Sequence, residues 1–164
     1  MAFELPDNLH PDCAPVAWLL GTWRGNGHGD YPTIEPYQFG QELIFTHDGR
    51  PFFHYFARAW IIDDNGEKIR DAALETGFLR CRPEGRLELL LAHNTGFVEI
   101  WHGEAETAKF EVVTDAVVRT ESAKEYVAGK RLYGLVEGDL LYAYDMAAMG
   151  QELQPHTWAR LQRT

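Results

Sequence analysis

The histidines, two cysteines and one glycine-rich stretch are the places where this chain's types and spacings bear on chemistry. A neutral imidazole is the commonest side-chain metal ligand, and a strand gives it a fixed direction. His28, His47, His54, His93, His102 and His156 form no HExxH or other two-ligand helical spacing, so zinc-dependent hydrolysis has no support. Cys13 and Cys81 stand in no CxxC, zinc or nucleophile pattern and read as free thiols of a reducing compartment. No Gly-x-Ser-x-Gly elbow supports acyl transfer. The stretch "GTWRGNGHGDYPTI" at 21–34 is glycine-rich, but a phosphate cradle would run into a helix or a Lys-Ser/Thr pair, and neither follows. Gly25, Gly27 and Gly29 share one parity, so in a strand they leave room on one face for another backbone at a bend or for a flat ligand.

The elements that must hold these residues are almost all strands. "PDCAPVAWLL" predicts a short N-terminal helix of about two turns, with Asp12 as its cap. Candidate strands follow at 22–30, 36–47, 51–62, 69–82, 86–92, 96–104, 107–114, 115–121, 127–137, 139–146 and 153–163. Short turn signals such as "HDGR", "DDNGE", "RPEGR", "HNTG" and "VEGD" separate many of them, which predicts antiparallel hairpins. About ten consecutive hairpin strands favour an all-β, up-and-down barrel, because closure removes both edges. At that strand number the barrel is expected to enclose a cavity. In "FFHYFARAWII" (52–62) aromatics occupy both parities. The lumen is expected to cover one face, and the N-terminal helix or a second copy in a homodimer the other.

Residues 1–164 show no linker, repeat or low-complexity segment and read as one domain. A net charge of −10 without a Lys/Arg run argues against nucleic acid. No apolar run approaches a membrane span and no leader pattern opens the chain, so a soluble, cytoplasmic protein is expected.

The "GTW" at 21–23 resembles the Gly-x-Trp element that opens lipocalin-like barrels. There the tryptophan seals one barrel end under an arginine of the last strand, a role open here to Arg160 or Arg163. The longer motif, with Gly21, Trp23, Gly25 and Gly27 at its head and "YPTI" at its foot, is similar to the signature of the nitrobindin family of haem-binding β-barrels. "PFF" at 51–53, "ETGFLR" at 75–80, "LLLAHNTGFVEI" at 89–100, "AKE" at 123–125 and "GQELQPHTWARLQR" at 150–163 also resemble that family, in order.

This resemblance implies a ten-stranded barrel with one haem b at its mouth and His156, in "LQPHTWARL", as the iron ligand. It further implies isomerisation of peroxynitrite to nitrate at ferric haem. Two alternatives stand beside it: a nitric-oxide carrier or sensor without turnover, and a lipocalin-like carrier of an apolar small molecule. Thr33 either lines the haem edge or satisfies the turn after Pro32, and Lys124 either pairs with a propionate or is a solvated lysine. His54 is open as a group over the haem or as a core or interface residue, and Tyr31, Tyr142 and Tyr144 are expected near the cavity. On this reading the glycines let β-structure bend and also let a flat macrocycle lie against the first strand. Simple alternation groups His156 with Gln154, Trp158 and Arg160, opposite Pro155, Thr157, Ala159 and Leu161; by itself it does not say which set faces inward.

Overall fold

The computed structural model describes residues 3–164. A 3₁₀ segment, Pro11–Leu19, leads into β1 (Gly21–Tyr31), β2 (Ile34–Thr46), β3 (Phe52–Ile62), β4 (Lys68–Cys81) and β5 (Arg86–His93). β6 (Phe97–Glu106), β7 (Lys109–Arg119), β8 (Tyr126–Val136), β9 (Asp139–Ala148) and β10 (Gln154–Arg163) complete the chain. Each strand pairs antiparallel with its sequence neighbours, and β1 pairs with β10 to close the barrel.

Two expected elements differ. The candidates 107–114 and 115–121 are the single strand β7. Its register against β6 shifts between Ile100 and Trp101, leaving Asp115 as the extra residue, so the side-chain alternation slips there and mimics a break. The expected short helix is present as a 3₁₀ segment, but its cap is His10 instead of Asp12, since the His10 ring accepts from the Asp12 N–H at 3.1 Å. Pro15 inside the segment lacks an N–H to donate, which disfavours a regular α-helical ladder.

The glycines of the first strand serve close packing. A Cβ on Gly25 would lie 2.2 Å from the Arg160 carbonyl oxygen, one on Gly27 2.5 Å from the Trp158 carbonyl oxygen, and one on Gly29 2.1 Å from the Tyr37 ring. Their missing side chains are thus required by the close approach of the β10 backbone and of the Phe39 and Tyr37 rings. At the β8–β9 hairpin, Glu137 and Gly138 both have positive φ, 54° and 83°, as a two-residue turn matched to the sheet twist requires.

One barrel end is sealed. Trp23 is fully buried and donates from Nε1 to the Leu19 carbonyl at 2.8 Å. The Arg163 guanidinium carbon stands 4.1 Å from the Trp23 ring centroid, and its nitrogens donate to the Trp18 carbonyl at 2.7 Å and to that of Leu20. Arg163 is therefore the arginine that covers Trp23. Arg160 faces outward to Asp139, at 2.5 Å, and Glu137. The 3₁₀ segment plugs this end instead of covering β3. The outer aromatics of β3 are covered by neighbours: Trp60 under Arg24 and Arg58, Phe52 under Arg50 and edge-on to Phe78. These contacts leave Phe52 and Trp60 half-buried on the outer face.

Candidate functional site

The opposite end is the mouth, where β10 carries His156. Pro155 pairs with Asp145 but Thr157 pairs with Tyr144, so His156 is the extra residue of a β-bulge. Beyond the bulge Ala159 and Leu161 are buried while Trp158 and Arg160 are exposed. The grouping of His156 with Trp158 and Arg160 by alternation is therefore wrong. A bulge rotates the chain by one residue and aims a side chain that regular pleating would send outward. His156 instead meets Tyr31 and Tyr144 edge to face, with ring centroids 5.4 and 5.8 Å away.

The imidazole is held in one protonation pattern. Its Nδ1 lies 3.1 Å from the Asp30 carbonyl oxygen, which can only accept, so Nδ1 carries the hydrogen and Nε2 keeps a free lone pair. Burial lowers the pKa of His156, opposed by the Asp30 carbonyl and aided by the nearby charges of Lys124 and Arg131. These conditions favour the neutral ring that a metal needs. Tyr31 stiffens the support: its hydroxyl accepts from the Ala148 N–H at 3.0 Å and donates to the Met146 carbonyl at 3.0 Å, tying β1 to β9. Around it Phe97, Val117, Met146 and Ala148 form an apolar rim with Tyr126.

Thr33 is exposed in the β1–β2 turn, and among the described residues no hydrogen bond ties its hydroxyl to that turn. Lys124 lies in the β7–β8 loop at the same end, with its carbonyl accepting from Arg119 at 3.3 Å. Tyr142 and Tyr144 point inward, and burial raises both hydroxyl pKa values. His54 is exposed on the outer wall, 3.1 Å from the Thr76 hydroxyl and tilted against Phe78, which rules it out as a group over the mouth. Cys13 and Cys81 are buried at the sealed end.

A charged layer below the mouth is the part that sequence reasoning missed. Arg131 Nη1 and Nη2 donate to the Glu75 carboxylate at 2.6 and 2.9 Å, and the Tyr55 hydroxyl donates to Glu75 at 2.6 Å. Burial alone would raise the Glu75 pKa, yet Arg131, His93 and Tyr55 together hold it at about 2. The guanidinium is clasped between Trp101 and Tyr144, 5.0 and 4.7 Å from their centroids. His93 joins the layer with Nδ1 3.3 Å from Glu75 and Nε2 2.6 Å from Glu99, and its ring stacks on Phe97 at 4.1 Å. The available signal was parity: Glu75 aligns with inward Leu79 and Cys81, Glu99 with Trp101, and Arg131 with Tyr133.

A separate apolar groove of about 680 Å³ runs along the outer wall beside Asn26, His28, Leu141, Trp158 and Arg160. It gathers no ligating set, because His28 stacks on Trp158 and Arg160 is engaged by Asp139. The mouth is the better site on chemical grounds. A free imidazole nitrogen, an apolar rim and a nearby cation suit a flat, largely apolar metal macrocycle with anionic edges.

Comparison with known proteins shows the family. A peroxynitrite isomerase of Nocardioides sp. is 80% identical over 163 residues, 99% of each chain. A ferric nitrobindin-like protein of Streptomyces griseus is 43% identical, covering 98% of this chain and 85% of its own. The crystal structure of Rv2717c from M. tuberculosis superposes with a TM-score of 0.86 at 36% identity, over 95% of this chain and 99% of that one. The family model described as THAP4-like, heme-binding beta-barrel domain matches residues 12–163, and the chain belongs to that family.

Proposed function

We propose that the protein binds one haem b at the mouth and isomerises peroxynitrite to nitrate. The observation that carries this reading is His156: a bulge turns it to the mouth, Asp30 fixes its Nδ1 hydrogen, and Nε2 is left for iron. When bound, haem held by His156 would supply an electrophilic ferric centre for peroxide chemistry. Isomerisation of ONOO⁻ to NO₃⁻ conserves atoms, charge and electrons, so the protein needs no reductant site. Its own work is to ligate through His156, to hold that ring between Tyr31 and Tyr144, and to exclude bulk water with Phe97, Val117 and Met146. Lys124 stands at the mouth as a cation for a propionate, and Thr33 as a free hydroxyl at the rim. The b-type assignment is supported by the thiols: the sequence has no Cys-x-x-Cys-His, and both cysteines lie at the sealed end. The Glu75–Arg131 layer argues against an apolar-ligand carrier, because buried charge and not an apolar lining occupies the barrel below the mouth.

The experiment is stopped-flow decay of peroxynitrite with product analysis. The reading predicts decay linear in haem-loaded protein over many equivalents, with nitrate rising at the expense of nitrite and nitrotyrosine, and none of this in apoprotein. Consumption of about one equivalent, with nitration of Tyr31 or Tyr144, would refute turnover and leave the nitric-oxide carrier.

A further inference from the structure

Four polar atoms in the buried layer have no hydrogen-bond partner among the described residues: Glu99 Oε1, Trp101 Nε1, the Tyr126 hydroxyl and Arg131 Nε. Their residues are only 3, 0, 2 and 5% exposed and come from the inward faces of β6 and β8. Buried polar groups are nearly always satisfied, by protein or by ordered water, because an unpaired one keeps the full cost of its desolvation. Trp101 and Arg131 offer N–H donors, Glu99 an acceptor, and Tyr126 either role. That mixture matches a molecule that donates and accepts at once.

The surrounding charge narrows the ligand. Glu75 from β4 and Glu99 from β6 place two carboxylates in the layer against the single guanidinium of Arg131 from β8, with His93 from β5 between the carboxylates. An anion is disfavoured there, and an apolar molecule would leave the four atoms unpaired. Gly129 lets the layer close: a Cβ at that position would lie 2.5 Å from the Tyr126 hydroxyl, 2.6 Å from Trp101 and 2.9 Å from Tyr144. The Tyr126 hydroxyl lies close enough to Glu99 and Tyr144 to feel both, without the geometry of a formed hydrogen bond to either, and its ring stacks on Phe97 at the mouth, 4.7 Å between centroids.

We propose that this layer is an internal hydration site, whose ordered water bridges Tyr126 and Glu99 on the mouth side and serves Trp101 and Arg131 beneath. Buried water of this kind has two to four polar partners, which these residues provide. The floor of the mouth is then a wet, proton-exchanging surface instead of a dry wall. This inference does not depend on haem.

A high-resolution crystal structure of the full chain tests it, with water-deuteron relaxation dispersion in solution. The crystal structure is expected to show at least one water within hydrogen-bonding distance of both the Tyr126 hydroxyl and Glu99 Oε1. The dispersion amplitude, which counts long-lived internal waters, is expected to fall in Tyr126→Phe and Gly129→Ala and to hold in His28→Ala on the outer wall. Tyr126→Phe preserves shape, so the test survives if Gly129→Ala fails to fold. A direct bond between Tyr126 and Glu99 with no water, or an undiminished amplitude in Tyr126→Phe, would overturn the proposal.

Discussion

At the sealed end Trp23 gives its N–H to Leu19, and Arg163 gives its donors to Trp18 and Leu20 while stacking on the same indole. At the mouth His156 gives one nitrogen to Asp30 and keeps the other free. The first arrangement consumes hydrogen-bonding capacity to lock the fold, and the second reserves it for a ligand. β1 reaches both ends: Trp23 near its start belongs to the seal, Asp30 and Tyr31 at its close belong to the mouth, and the glycines between them admit β10 and the Tyr37 ring of β2. One contiguous motif therefore contains residues of two separate roles, and mutation should separate them.

Removing the seal is expected to have the largest effect on stability. Trp23→Ala should cost about 3–5 kcal/mol, as for a buried large aromatic, and lower the melting temperature of haem-free protein. Calorimetry of the apoprotein measures this. A stable variant that failed only to take up haem would place Trp23 in the ligand site and erase the contrast between the ends.

Next comes the charged layer. Glu75→Gln should cost about 3 kcal/mol, because Arg131 would be left buried without its counter-charge. The same pair gives a pH signature. The Glu75 pKa in the folded state, about 2, lies below its ordinary value of 4.5, so its contribution is complete above pH 4.5 and is lost as pH falls toward 2. Denaturant titrations at successive pH values should show wild-type stability falling across that window more steeply than that of Glu75→Gln. Equal slopes would mean that Glu75 does not drive the loss.

Arg163→Met keeps the bulk over Trp23 but removes the cation and its donors, and should cost about 2 kcal/mol. Urea midpoints of the apoprotein decide this, with haem affinity expected to hold. Smallest is Lys124→Ala, where a solvent-facing ion pair contributes at most about 1 kcal/mol. A haem titration should show affinity weaker by a few-fold with no change in melting temperature. A shift in melting temperature instead would make Lys124 a structural residue.

Much of the barrel could be read from the sequence because turn signals and alternation are local. Gly-rich and Asp/Asn-rich turns mark the hairpins, and Trp23 with a C-terminal arginine marks the seal. Legibility failed where the backbone departs from strict alternation. The bulge at Asp115 split β7 in two, and the bulge at His156 reversed the side on which that residue belongs. Both are tertiary features, since an extra residue on one strand is defined only against its partner. The choice between Arg160 and Arg163 also needed register, because Trp23 pairs with Arg163. The Glu75–Arg131 pair spans 56 residues, and no local pattern announces which inward charges meet. The outward position of His54 followed from its pairing with Phe78, which sequence spacing did not supply.

The most direct test of the contrast between the ends is a haem titration of the apoprotein and of His156→Ala, followed at the Soret band beside a melting curve of each. Wild type should bind one haem per chain with a sharp Soret band. His156→Ala should lose that binding while its apoprotein melts within a few degrees of wild type, since the residue lies at the mouth and not in the seal. Unchanged affinity and spectrum in His156→Ala would contradict the assignment of the mouth, and of this histidine, as the haem site.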